Sequence, residues 1–170
     1  MLKTTIFVLA AFVVIALLAV LKLKAGAKRG VYYLRKTLFT AAEQSFLGGL
    51  EQVLPPGVRV FGKVRLADIF GVQRGLDPSA RQSARNRIDR KHVDFLLVRT
   101  DDLAPLAGIE LDDRSHEEEE RQERDALVDE VFAGAGLPLL HVPAQKTYDP
   151  ADLKAKVASL LARPGPQHVT

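Results

Sequence analysis

Two carboxylates inside a short apolar segment constrain this chain more than any other feature of its sequence. The segment runs from Leu106 to Asp112 and reads Leu-Ala-Gly-Ile-Glu-Leu-Asp. Its alternation predicts a strand with Ile109 and Leu111 on one face and the two acids, Glu110 and Asp112, on the other. A buried carboxylate costs free energy unless it is paired, protonated or bound to a metal. The acids therefore mark either a cation site or a strand end where they simply reach water.

A second apolar segment with an internal acid precedes the first. Residues 92–98 read as a strand that contains Asp94, and a short turn connects it to the strand with Glu110 and Asp112. A hairpin places such acids side by side, and residues two apart on one strand are separated by roughly 6.5 to 7 Å. We therefore expect Asp94, Glu110 and Asp112 to bind Mg²⁺ or Mn²⁺. His116 is either a further site residue or a polar residue before the next helix.

The N-terminus carries an apolar run from Thr4 to Leu21 without a charged residue. Eighteen residues of helix span roughly 27 Å, which is close to the thickness of a bilayer core. Basic residues are more numerous after the run, so the positive-inside rule predicts a cytoplasmic C-terminal side. We therefore expect a transmembrane anchor over residues 1–23 of a single-pass bacterial inner-membrane protein, with the lipid bilayer as its partner. A cleaved signal peptide is the alternative, with Ala25-Gly26-Ala27 as a small-x-small cleavage site.

Charge is distributed unevenly along the chain. Residues 22–100 contain 16 Lys and Arg against 6 Asp and Glu, whereas residues 101–170 contain 7 against 15. A basic half indicates either an anionic partner or attraction between the two halves. Residues 79–88 read as a helix after an Asp77-Pro78 cap. The basic patch on and after this helix is either a solvated surface or a nucleic-acid contact site, and its residues are Arg81, Arg85, Arg87, Arg90 and Lys91.

The elements after the N-terminal run are predicted in the order helix, strand, small helix, strand, strand, helix, strand, helix. Thr40 and Glu43 match a capping box at the start of the first of these helices. The order predicts an α/β fold with a mixed sheet flanked by helices. We expect a basic juxtamembrane linker over residues 24–36, the α/β domain over 37–162 and a disordered tail over 163–170. The chain has no Cys, which excludes disulfides and thiolate metal sites.

Several short motifs follow one another in a recognisable order. They are Glu43 on the first helix, Val-Arg-Leu-Ala-Asp at 64–68, Val-Asp-Phe-Leu-Leu at 93–97, Ile-Glu-Leu-Asp-Asp-x-x-His at 109–116, Arg-x-x-x-Asp at 121–125 and Ala-Gly-Leu-Pro-Leu-Leu at 135–140. Over roughly residues 34–142 this succession resembles the bacterial family called domain of unknown function 2726 (DUF2726). That family looks related to the PD-(D/E)XK nuclease superfamily and, more distantly, to very-short-patch repair endonucleases. The resemblance implies a restriction-endonuclease-like fold.

The resemblance also implies roles for individual residues. Glu43 matches the acid of the first core helix, Asp94 matches the strand aspartate that binds metal in active members, and Glu110 matches the acid of the following strand. Asp112 stands where the superfamily usually has a lysine that helps to position or activate the attacking water. His116 is placed to supply the missing acid-base function, as a histidine does in the short-patch repair relatives.

These observations favour two functions. The first is a membrane-anchored, metal-dependent nuclease that acts on phosphodiester bonds, with Asp94, Glu110, Asp112, His116 and Glu43 as its site. The second is a catalytically inactive module at the inner membrane that binds nucleic acid or another protein. The three acids favour the first function, whereas the missing lysine favours the second.

Overall fold

The chain divides into two compact units, Met1–Leu38 and Phe39–Thr170. The computed structural model describes residues 2–25, 31–112 and 118–163. In the first unit, helix α1 (Leu2–Ala25) precedes irregular backbone over residues 31–38. The described residues end at Arg163, so the rest of the tail predicted over residues 163–170 lies outside them. His116 also lies outside the described residues.

The predicted membrane anchor is wrong. Across the described ranges 2–25, 31–112 and 118–163, no helix combines the length and the apolar character that crossing a membrane requires. The charge-free run from Thr4 to Leu21 gives only roughly 27 Å of helix, against a hydrocarbon core of about 30 Å, and lysines bound it at both ends. The anchor over residues 1–23 and the single-pass inner-membrane location inferred from it are both corrected by this finding.

The second unit is built on one four-stranded sheet in the order β1-β2-β3-β4. The first three strands pair antiparallel, and β4 runs parallel to β3. This mixed α/β architecture confirms the prediction from the order of elements. The elements are α2 (Ala41–Val53), β1 (Val58–Arg65), α3 (Leu66–Ile69), α4 (Pro78–Asp89), β2 (His92–Arg99), β3 (Pro105–Asp112), α5 (Glu118–Ala135), β4 (Leu139–Pro143) and α6 (Pro150–Leu161).

Two apolar clusters cover the two faces of the sheet. Alternate residues of β2 point to opposite faces, so Phe95 and Leu97 join one cluster and Leu96 and Val98 join the other. The first cluster is completed by α2 and α6, with residues such as Phe46, Leu50, Leu153, Val157 and Leu160. The second is completed by α3, α4 and α5, with Leu66, Ile88, Val128 and Phe132. Helices therefore pack on both faces and leave the ends of the strands available for a site.

Local sequence explains where the site-bearing helices begin and end. Asp77 caps α4 by accepting a hydrogen bond from the Ala80 N–H at 2.9 Å, and Pro78 occupies the first turn. Gly136 follows α5 with a φ of 69°, a left-handed conformation that favours glycine after a helix. The Leu137 N–H then donates to the Phe132 carbonyl at 3.0 Å. Leu137 thus belongs to the helix end, and β4 begins at Leu139.

Candidate nucleic-acid interface and acidic cluster

One row of residues crosses the sheet near the C-terminal ends of β3 and β4. In β1 and β2, the flanking pairs Gly62–Phe95 and Val64–Val93 place Lys63 opposite Asp94. The pairing of Phe95 with Ile109, extended by one residue, places Asp94 beside Glu110. Glu110 in turn pairs with His141 of β4. The sheet therefore brings two of the predicted acids, Asp94 and Glu110, together with two residues that the sequence did not single out.

Asp94 is a buried acid with a hydrogen-bond donor at each carboxylate oxygen. The residue is 6% exposed. Its Oδ1 lies 2.8 Å from Nζ of Lys63, and its Oδ2 accepts the backbone N–H of Leu111 at 3.0 Å. A buried charge is tolerated when it is paired and hydrogen-bonded. Asp94 is thus held by a partner from each neighbouring strand.

Glu43 combines a capping role with an ion pair. Its Oε2 accepts the Thr40 N–H at 2.7 Å, while its own N–H donates to the Thr40 hydroxyl at 3.3 Å, which confirms the predicted capping box. Its Oε1 contacts the Nζ of Lys63. Since Glu43 is only 8% exposed, the cap and the ion pair together explain how this carboxylate is accommodated.

Lys63 connects Glu43 and Asp94, and no sequence motif singled out this lysine. Its ammonium group contacts both Glu43 and Asp94. Burial alone would lower the pKa of Lys63, but hydrogen bonds and charge attraction from Asp94 and Glu43 outweigh burial and raise that pKa. The only sequence signal lies in β1, where Gly62 interrupts the alternating valines directly before Lys63. We call Glu43, Lys63 and Asp94 the acid–lysine cluster.

Asp112 enters a different interaction, with His141 and Asp129. His141 Nδ1 lies 3.0 Å from Oδ1 of Asp112, and its Nε2 lies 2.9 Å from Oδ1 of Asp129. Burial lowers the pKa of His141, but the two carboxylates raise it more, so the net shift is upward. When the imidazole is protonated, it donates a hydrogen bond to each acid. His141 therefore connects β3, β4 and α5, a role that sequence spacing did not reveal.

The predicted metal ligands do not form a recognisable metal site in the described part of the chain. No group of three or more His, Cys, Asp or Glu side chains within those residues is placed to hold a metal ion. Asp94 is bonded to Lys63 and Leu111, Asp112 is bonded to His141, and Glu110 is half-buried between them. The donor set thus departs from three carboxylates that converge on one hard cation. Binding of Mg²⁺ or Mn²⁺ stays a prediction.

The predicted basic patch separates into paired and unpaired side chains on α4. Arg87 forms a salt bridge with Glu130 at 3.2 Å. Lys91 is half-buried, and its carbonyl accepts the Leu66 N–H at 2.8 Å, while Arg90 is the exposed C-cap of α4. Arg81 and Arg85 are exposed, and neither has a salt-bridge partner among the described residues.

Arg81 and Arg85 also line a cavity of about 570 Å³ between α4 and the segment after α3. Residues four apart lie on the same side of a helix, so the two guanidinium groups face the same region. Their positions on one side of α4 make them the part of the patch best placed to bind phosphate.

Comparison with known proteins identifies one family. A family model described as a protein of unknown function, DUF2726, matches residues 35–160. No curated protein and no solved structure gives a significant match. Because the match covers well over half of the chain, the protein belongs to the DUF2726 family.

Proposed function

We propose that this protein binds the phosphate backbone of nucleic acid through α4 and does not cleave it. The pair Arg81 and Arg85 carries this proposal. Both side chains are exposed on one side of a helix, and neither is neutralised by an acid of the described residues. Guanidinium groups bind phosphate oxygens in a bidentate manner. The excess of basic residues over residues 22–100 adds long-range attraction for a polyanion.

The acid–lysine cluster supports binding without cleavage. Lys63 supplies Glu43 and Asp94 with a positive charge from within the chain. The second oxygen of Asp94 is already bonded to the Leu111 N–H. A metal ion would have to displace these donors before it could coordinate Asp94. The cluster therefore serves as a buried ion-pair network that connects α2, β1, β2 and β3.

The double variant Arg81→Gln/Arg85→Gln tests the proposed contact. Each phosphate neutralised on duplex DNA adds about 0.9 to the slope of log affinity against log salt. We therefore expect the double variant to lose about 1.8 from that slope and to bind more weakly at low salt. Fluorescence anisotropy with labelled duplex DNA, duplex RNA and single strands over a salt series measures both quantities.

A matched control separates a specific contact from a general effect of net charge. The variant Arg65→Gln/Arg99→Gln removes the same charge from two arginines that already pair, Arg65 with Asp68 and Arg99 with Asp102. We expect this control to keep the wild-type slope. If both double variants reduce the slope equally, α4 is not the binding site. Lack of any binding by the wild-type chain would sink the proposal altogether.

A metal-dependent nuclease is the second candidate, because Lys63 contacts Asp94. The resemblance to the PD-(D/E)XK superfamily implies a lysine beside the metal-binding acids, and β3 carries Asp112 at that position. Lys63 reaches Asp94 from β1 instead of from β3. In this candidate, Asp94 and Glu110 would hold Mg²⁺ or Mn²⁺, which would supply an activated water and neutralise the phosphate. Lys63 would orient Asp94 through their hydrogen bond.

Thermal melting with metal or with chelator distinguishes the two candidates. If the cluster is only structural, millimolar Mg²⁺ or Mn²⁺ should leave the melting temperature of the wild-type chain unchanged. Lys63→Met should destabilise it by about 3 kcal/mol, because it leaves Glu43 and Asp94 uncompensated, and metal should then restore part of the loss. A metal-induced rise in the wild type, accompanied by phosphodiester cleavage that Asp94→Asn abolishes, would instead establish the nuclease.

A further inference from the structure

The cavity beside α4 is half open and is lined by both apolar and basic side chains. Its volume is about 570 Å³, within the range of roughly 300–1,000 Å³ that small-molecule and cofactor sites occupy. Three chain segments form it: the C-terminal end of α3, the connection to α4, and one side of α4. Phosphate binding by an arginine pair does not by itself require a pocket with apolar side chains in its lining, which suggests that the ligand also has an apolar part.

The apolar part of the cavity has a fixed aromatic wall. Phe70 is half-buried, and its ring packs edge-on against Phe132 with 4.9 Å between the ring centroids. Ile88 is buried and also lines the cavity. Leu76 is 43% exposed and also lines the cavity. An exposed leucine next to a held aromatic ring provides a surface on which a flat, weakly polar group can be buried.

The rim carries the polar groups that such a ligand would need. Arg81, Gln82 and Arg85 line the cavity from α4. The Nε2 of Gln82 donates to Oδ1 of Asn86 at 2.8 Å, which holds the amide along the helix. Arginine pairs bind phosphate, and glutamine is a side chain that hydrogen-bonds to the edges of bases. The ligand chemistry that fits is a phosphate attached to a flat apolar body.

We propose that the cavity binds one unstacked base of a single-stranded nucleic acid, with the adjoining phosphate on Arg81 and Arg85. This inference rests on the proposed nucleic-acid binding and specifies its substrate. A base that is paired and stacked within a duplex is not available to enter a side-chain pocket, whereas bases of single strands can be splayed out and buried against aromatic side chains. The protein therefore binds single strands more tightly than duplexes of the same length.

An oligonucleotide with abasic positions tests this inference, since it keeps the phosphates and removes the bases. Burial of a base against an aromatic side chain contributes roughly five- to a hundredfold in affinity. We expect the wild-type chain to bind a labelled single strand at least about fivefold more tightly than the matched abasic strand. Competition with a free mononucleotide shows whether the cavity prefers a base within a strand or a free nucleotide.

Two variants of the cavity make the measurement specific. Leu76→Asn alters an exposed side chain at the cavity and should not affect folding, whereas Phe70→Leu removes the aromatic wall but keeps an apolar side chain. Both should lose the preference for the strand with bases. Leu38→Asn makes the same substitution at an exposed leucine of the first unit, which does not line the cavity, and should keep the preference.

The outcomes distinguish this inference from the proposed function. If the wild-type chain binds both strands equally, with a salt dependence that requires Arg81 and Arg85, the protein binds phosphate and the cavity holds no base. If a free mononucleotide competes as well as the strand does, the cavity binds free nucleotides and the single-strand inference is overturned. If the chain binds neither strand, the proposed function fails as well.

Discussion

A single residue, Lys63, shows how a strained backbone position can hold a charged cluster. Its φ is 55°, a left-handed conformation that costs a residue with a side chain about 1–3 kcal/mol. Its neighbour Gly62 must lack a side chain, because a Cβ there would lie 2.2 Å from Cζ of Phe39. The ion pairs of Lys63 with Glu43 and Asp94 offset the backbone cost. The strained backbone position is therefore the one that places the ammonium group between the buried carboxylates of Glu43 and Asp94.

The sequence could not reveal this arrangement at the residue scale. The pattern of residues 58–65 predicted a strand, and the strand is present. A strand pattern, however, assigns each side chain to a face on the assumption of regular backbone. The left-handed turn at Lys63 breaks that regularity, and the partner acids are 20 and 31 residues away in the chain. The capping box was predictable because its two residues are only three apart.

At the scale of elements, the packing of α5 on the sheet depends on Gly108 of β3. A Cβ at this position would lie 2.4 Å from Cε1 of Phe132 and 2.9 Å from Cδ1 of Leu139. Phe132 is buried and in contact with Phe70, so it has little room to move. We expect Gly108→Ala to destabilise the protein by about 1–3 kcal/mol through overpacking. Urea denaturation followed by circular dichroism measures this change.

Gly134 provides the matched control for the substitution at Gly108. It lies in α5, and a Cβ at this position would have no atom within 4 Å. Alanine favours a helix interior over glycine by about 0.5–1 kcal/mol, so Gly134→Ala should stabilise the protein or leave it unchanged. Equal effects of the two substitutions would contradict the close packing of α5 against β3.

For the whole molecule, local patterns predicted the helices and strands but not all of the side-chain contacts between them. The order of helices and strands followed from periodicity, caps and turns. The structure shows that β3 and β4, which α5 connects, pair in parallel. The predicted membrane anchor was wrong, because no helix of the described residues is long and apolar enough to cross a membrane. The contacts of Lys63 and His141 depend on the register across strands, which a single sequence does not fix.

The His141 interaction makes the stability of the whole molecule depend on pH. Its carboxylate partners, Asp112 and Asp129, raise its pKa in the folded state above the ordinary value of 6.5. A raised pKa means that the folded protein binds the proton more tightly than the unfolded chain does. The stabilisation is therefore fully present below pH 6.5 and is lost as the pH rises through the folded-state pKa.

We expect the wild-type protein to lose stability as the pH rises above 6.5, and His141→Gln to lose less over the same interval. The imidazole is 35% exposed, so screening by solvent should keep the difference below about 1 kcal/mol. Melting temperatures measured by circular dichroism over a series of pH values check the expectation. If His141→Gln and the wild type show the same pH dependence, the bond between α5 and the sheet does not require a charged imidazole.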